Sequence, residues 1–514
     1  AHTSSTSSTV TTLSVSLVSP SLPTSKSTPP PDALIIPAVA HANGVNSTFQ
    51  SDVRVTNTSA QVVKYQVTFT PTGDAGISDG KQTTIDIDPG KTIALDDVLG
   101  TWFTSLSQSS IGVLEIRPLT AQSSTTLNPS SPFAASASAL STFASSRTFN
   151  VTANGTYGQY IPAIPFANFI GGSKDAAAAA ILSLQQISQS DAFRTNLGFV
   201  EGSGQPASLL VSVFDHTGTK ITSFPLQLAA GQHTQFSLGS QGVQQLSDGR
   251  VEVKVLSATG KVTTYASVLD NKTNDPLLVS PVNLSAAGNT TFVVPGVADL
   301  SNGLANWRTD MRVFNPSSKP VDATLSFYSQ NGSESKSVTM TLAPNEVKDL
   351  DGTLAGTFGI TNDGGAVHIT TVQPSNLIAT ARTYNQTSNG TYGQFIPAVT
   401  PADAAGTGSR PLQLLQLEES DRYRSNVGIV EVSGKPAKIQ ISVIPPDGRV
   451  TGIAEMDLAP NEFRQLNSML KSFGLGSSYN ARVTVKVISG EGRVSAYASV
   501  IDQVTQDPTY VPAQ

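Results

Sequence analysis

One pentapeptide, Gly76-Ile77-Ser78-Asp79-Gly80, has the Gly-x-Ser-x-Gly spacing of a nucleophile elbow. An elbow needs a strand, a sharp turn and a helix, so that the turn thrusts the serine Oγ outward. Here both flanks, Gln66 to Thr70 and Thr83 to Ile87, read as strands, and a hairpin loop accounts for the residues. A second string, Asp86-Ile87-Asp88-Pro89-Gly90, opens like a calcium loop but lacks the third oxygen ligand and the distant glutamate. It reads as the exposed face of a strand ending in a Pro-Gly turn. His2, His41, His216, His233 and His368 show no ligand spacing, and no glycine-rich loop is followed by Lys-Ser/Thr. The absence of cysteine removes disulfides, thiolate zinc sites and cysteine nucleophiles. The residues predict no enzyme, cofactor or metal. Spacing leaves open only carboxylates that meet in space.

Two further residue sets could bind. Tyr157, Tyr160, Tyr392 and Phe395 recur in matching positions and could stack on sugars. A repeat interface buries the same residues each time, and that favours a junction between modules. Acceptor sequons for N-glycans stand at Asn46, Asn57, Asn150, Asn154, Asn271, Asn283, Asn289, Asn331, Asn385 and Asn389. None follows Asn389.

The elements behind these residues repeat. Arg147-Thr148-Phe149-Asn150 through Asn154-Gly155-Thr156-Tyr157-Gly158-Gln159-Tyr160-Ile161-Pro162-Ala163 returns in the second half of the chain as Arg382-Thr383-Tyr384-Asn385 through Asn389-Gly390-Thr391-Tyr392-Gly393-Gln394-Phe395-Ile396-Pro397-Ala398. Phe193-Arg194-Thr195-Asn196 matches Tyr423-Arg424-Ser425-Asn426, and Tyr265-Ala266-Ser267-Val268-Leu269-Asp270 matches Tyr497-Ala498-Ser499-Val500-Ile501-Asp502. Asp52-Val53-Arg54-Val55 pairs with Asp310-Met311-Arg312-Val313 at a longer offset, so the first unit holds an insertion, placed at Leu119 to Phe143.

Within each half a weaker repeat divides the chain again. The reading is all-β: four tandem Ig-like sandwich modules at 34–158, 159–290, 291–394 and 395–514, preceded by a strand and linker over 1–33. An Ile/Val-Pro-Ala/Gly tripeptide marks the seams, as at Ile36-Pro37-Ala38, Ile161-Pro162-Ala163 and Val294-Pro295-Gly296. Nearly linkerless seams predict a stiff rod.

Composition narrows the function class. The 514 residues carry 13% charged side chains and 119 Ser plus Thr, a surface of hydroxyls and turns. A formal charge of −6 gives no basic field for nucleic acid or anionic lipid. No apolar run is long enough to span a bilayer. Residue 1 does not open a signal sequence, and any such segment is taken as already removed.

The Arg-Thr-Tyr/Phe-Asn and Asn-Gly-Thr-Tyr-Gly-Gln-Tyr/Phe-Ile-Pro-Ala signature resembles the tandem Ig-like repeats of large secreted bacterial surface proteins. The resemblance implies an extracellular, modular and non-enzymatic role for about Leu34 to Gln514. Near the start, Val10, Leu13, Val15, Leu17 and Val18 alternate as a strand with no sheet of its own. A Pro-rich stretch, Ser19 to Asp32, could carry that strand to a neighbouring subunit. The leading expectation is a filament subunit that polymerises with itself by strand donation, with the last module as acceptor. The alternative is an adhesin or carbohydrate-binding array with glycan partners.

Overall fold

The computed structural model describes residues 28–514, apart from 45–46, 74–79, 104–109, 120–140, 153–154, 176–177, 302, 304 and 331–334. The expected donor strand, Ser78 and most of the Leu119–Phe143 insertion lie outside the described residues.

The first module has eight main strands: β1 (Leu34–Gly44), β2 (Ser47–Asn57), β3 (Val63–Pro71), β4 (Lys81–Ile87), β5 (Thr92–Leu95), β6 (Ser110–Pro118), β7 (Thr142–Thr152) and β8 (Gly155–Pro162). One layer runs β4-β3-β6-β1 and the other β5-β2-β7-β8, with antiparallel ladders joined through the β1–β2 hairpin. Alternation explains the layers. In β4, Thr83, Ile85 and Ile87 face inward while Gln82, Thr84 and Asp86 face out. Val53, Val55, Val67, Phe69, Leu114 and Ile116 fill the space between the layers. Tyr65 joins them fully buried because its hydroxyl meets Thr142 Oγ1 at 2.9 Å.

The same order recurs three times, over 181–279, 289–397 and 412–512, so the chain is four all-β sandwiches. After each fifth strand comes a helical turn of four or five residues: Val98–Thr101, Leu238–Gln241, Leu354–Phe358 and Met469–Ser472. Each sends a leucine into its core, namely Leu99, Leu238, Leu354 and Leu470. So short a turn has no periodicity for sequence reasoning to find.

Three expectations change. The tripeptides at Pro37 and Pro295 lie inside first strands rather than at seams. Proline offers no N–H to a ladder, and the register shifts there, between Ile36 and Val39 and between Val294 and Val297. β8 stays in register with β7 to Pro162, so residues 159–162 belong with the first module's sheet. Three sequon asparagines, Asn57, Asn150 and Asn385, are buried at 2% exposure or less, which leaves a glycan no room. Asn57 Nδ2 already donates to the carbonyls of Gln61 and Ile87. Asn271, Asn283 and Asn289 are partly buried, Asn389 is exposed, and Asn46, Asn154 and Asn331 lie outside the described residues.

The largest correction concerns shape. The rod is overturned because the fourth module packs on the first. Thr92 N–H donates to Pro446 O at 3.0 Å, Arg482 Nη2 to Gly90 O at 3.2 Å, and Gln416 Nε2 to Asp52 O at 2.9 Å. In the contact of the second and third modules, Val347 N–H to His216 O and Gln186 Nε2 to Asp310 O repeat the first and third of these, and Arg312 to Asp248 repeats a bond from Arg54 Nε to Asn480 Oδ1. Gln186 and Gln416 each occupy a bulge with φ near +55° to +58°, unusual for a residue other than glycine, and that turn swings the amide across the interface. Modules one and two share Ile35, Phe166, Phe169 and Val200, and modules three and four share Val293, Val430, Phe463 and Tyr497. The chain therefore closes in the order one, two, three, four, one, with a pseudo-two-fold axis through the middle.

Closure is measurable. Small-angle scattering should give a radius of gyration close to the globular value for this length, about 24 Å. Four sandwiches end to end, each about 36 Å long at ~3.3 Å per residue, would give about 40 Å instead.

Candidate functional site: the hub where four modules meet

Four eighth strands converge on the axis: β8, Pro276–Val279, Gly390–Pro397 and Pro508–Pro512, each touching the next. The signature recognised in the sequence is the wiring of this hub. Tyr157 stacks on Tyr392 across the axis, ring centres 5.5 Å apart and planes within 10°. Gly158 and Gly393 turn their backbone N–H groups to the even modules. Gln159 accepts from Ser267 Oγ at 3.1 Å and Gln394 from Ser499 Oγ at 3.0 Å. Tyr160 enters the core of the fourth module and Phe395 that of the second, whereas Ile161 and Ile396 stay in their own. Tyr157, Tyr160 and Phe395 are buried, and Tyr392 is partly so.

Below the tyrosines lie acids that the sequence reading missed. Asp502 Oδ2 accepts from Thr156 N–H at 3.3 Å and Oγ1 at 3.1 Å; Asp270 Oδ2 accepts from the same atoms of Thr391 at 3.1 and 2.8 Å. Arg147 and Arg382 each donate to those threonines. Asp507 Oδ2 accepts from Gly158 N–H at 3.1 Å and Asp275 Oδ2 from Gly393 N–H at 2.8 Å. The signal was present: Asp275-Pro276 and Asp507-Pro508 recur at the offset of the late-strand repeat, immediately before the strands.

Asp275 and Asp507 meet each other on the axis, and Oδ1 of each has no donor beyond a proton carried by the pair itself. Burial, above all, pushes the Asp507 carboxyl up to about 7. Burial and then the Asp507 charge raise Asp275 as well. Two adjacent carboxylates in this setting cannot both ionise, so they hold one proton between them. Arg147 and Arg382 pull the other way, while Asp502 and Asp270 add to the rise.

The remaining candidates are occupied locally. Asp86 pairs with Lys64 and Asp88 with Lys91 on the surface. His41 meets Asp97 at 2.8 Å and His216 meets Asp349 at 3.3 Å. His233 is buried against Thr72 and Tyr265, and burial lowers its imidazole to about 3; His368 falls to about 4 for the same reason. Among the described residues no three His, Asp or Glu side chains gather as a metal site.

A family model matches residues 176–467, more than half of the chain, and takes in the whole contact between modules two and three. The chain belongs to DUF5719, a family of unknown function. No curated protein matches it. Among solved structures it is similar, at 11% identity, to a tetra-tandem repeat from the extending region of a large adhesion protein. That match covers 93% of this chain and 97% of the other, with a TM-score of 0.10. A second, at 10% identity, is SGBP-B of the Bacteroides ovatus mixed-linkage glucan utilization locus, in complex with a mixed-linkage heptasaccharide. It covers 82% and 89%, with a TM-score of 0.12. Both scores are too low for the whole chains to superpose.

The carboxyl pair makes a signed prediction. The closed form binds more protons than the unfolded chain between the ordinary aspartate value and about pH 7. The pair's contribution therefore falls as pH rises through that window, by about 1.4 kcal/mol per pH unit for one proton. Asp507→Asn supplies a fixed N–H donor in place of the shared proton. Thermal melts should show wild type and D507N alike near pH 4, with the mutant increasingly more stable up to about pH 7. A gap that does not widen with pH contradicts the shared proton.

Proposed function

We propose that this chain is a secreted, non-enzymatic adhesion scaffold, a closed block of four modules that presents inter-module surfaces to a partner outside the cell. One observation carries the reading. The residues with the most chemical potential, the Asp275–Asp507 pair, lie 3% and 1% exposed and are spent holding modules together. A proton-sharing carboxyl pair is competent for acid–base catalysis, but here Asp507 is sealed in the seam and Asp275 shows only an edge at the floor of a cleft. The hydroxyl-rich composition suits an extracellular site, and the described residues contain no helix able to cross a membrane.

A second reading is a filament subunit that polymerises by N-terminal strand donation. Its support is a free edge: Gly452–Leu458 in the fourth module pairs on one side only, and Ile453 within that strand is exposed. Thr28, whose Oγ1 donates to Ser203 O, anchors the start of the described chain on the second module. Reach to the fourth module of another subunit is then the linker's task.

Two measurements decide. Purified protein should bind its native cell surface or matrix as a monomer and show no turnover on hydrolase panels. A hydrolytic activity lost in D507N would overturn the scaffold. Electron microscopy of the full chain and of a variant lacking residues 1–20 tests assembly. Fibres from the full chain alone establish strand donation, and fibres from both forms, or from neither, exclude it.

A further inference from the structure

The two cross-contacts of the ring, modules one with four and two with three, are built from equivalent residues, yet larger side chains stand in the first where the second has smaller ones. Between modules two and three lies a cleft of about 640 Å³, within the usual range for a binding pocket. Three replacements at one common offset, in matching strands and the turns between them, explain the difference: Ser188 for Glu418, Ala192 for Arg422 and Phe193 for Tyr423. All three smaller residues line the cleft.

The filled contact shows what the cleft lacks. Tyr423 OH bridges Thr156 Oγ1 at 2.6 Å and Arg147 Nη1 at 3.2 Å. Its ring carries two guanidinium groups, Arg147 at 4.8 Å and Arg422 at 5.4 Å. Arg422 Nε also reaches Asp502 Oδ2 at 3.4 Å. In the cleft Phe193 has no hydroxyl and carries one guanidinium, Arg382 at 5.4 Å. Asp270, the counterpart of Asp502, forms no ion pair with any described Lys or Arg side chain, because Ala192 stands where Arg422 would. Gln186 lines the same cleft at 7% exposure, and its Oε1 has no donor, whereas Gln416 Oε1 accepts from Ser145 Oγ at 2.9 Å. Six aspartates line the cleft against Arg312, Arg382 and His216, and Arg312 is already engaged by Asp248 and Asp351.

The geometry points to this cleft as the docking site for an arginine side chain of a partner polypeptide, whose guanidinium lies over Phe193 and pairs with Asp270 where Arg422 does so in the sister contact. A planar guanidinium suits both demands, since it stacks on an aromatic face and donates several N–H bonds to carboxylates. Acid-lined walls draw such a partner in and repel acidic ones. This deepens the scaffold reading by giving the partner's chemistry.

The test uses the full chain and an acetyl-Gly-Arg-Gly-amide probe, followed by NMR shifts of the backbone amides of Phe193 and Asp270. Wild type should bind the arginine peptide at least tenfold more tightly than its citrulline analogue, and less tightly as salt rises. Ala192→Arg, at an exposed position, should weaken binding at least tenfold without lowering the melting temperature. The triple variant E418S/R422A/Y423F, which copies all three replacements into the sister contact, should add a second site and take the stoichiometry from one to two. Equal binding of the citrulline peptide, unchanged binding by A192R, or shifts produced by a glucosamine oligomer but not by the arginine peptide would each overturn the assignment. Surface binding by A192R at wild-type strength would sink this site alone and leave the scaffold reading standing.

Discussion

A β-strand at the edge of a sheet presents a row of N–H groups with no partner, and a buried N–H must find one. In this fold four edges run into the centre of the molecule, where most of their backbone is turned away from the surface. On two of the four edges, those of the odd modules, the carboxylates of Asp270, Asp275, Asp502 and Asp507 meet that demand, each reaching across from an even module. Everything else about the architecture depends on this bonding. It fixes which module faces which and places the tyrosine stack on the axis.

Gly158 illustrates how tightly the hub is drawn. A side-chain carbon there would come within 2.7 Å of Phe149 Cβ, closer than real neighbours approach. Its N–H is also needed by Asp507. Small size and a free donor are thus required of one residue. The carboxylates gain correspondingly: bonds between a charged acceptor and backbone N–H are stronger than neutral ones. Their burial is tolerated because most of their oxygens are bonded, and the two that are not share a proton.

Much of the fold was legible in the sequence because strand alternation and turn residues are local. The four-fold repetition, the β class and the junction residues Tyr157, Tyr160, Tyr392 and Phe395 could all be singled out from spacing. Closure could not. A signature such as Tyr-Gly-Gln-Tyr-Ile-Pro states that an interface exists, but not whether Tyr160 enters the next module or the last. Asp275 and Asp507 recur visibly before matching strands, but that they meet each other across the two halves of the chain leaves no trace in local pattern. The cleft was hidden differently. Its residues are unremarkable singly, and Ala192 becomes informative only when aligned with Arg422, because the missing guanidinium is visible only by contrast.

That contrast bears on why the chain is duplicated within one polypeptide. Modules one and two together carry both faces of the closed contact, so a half-length chain of this design would pair with its own copy. Such a homodimer has two identical cross-contacts by symmetry, both filled or both hollow. Joining the halves covalently removes that obligation. Tyr423 and Phe193 descend to separate codons, and one contact can serve as the weld while its twin is free to change. Fusion converts a symmetric fastening into a fastening and a receptacle.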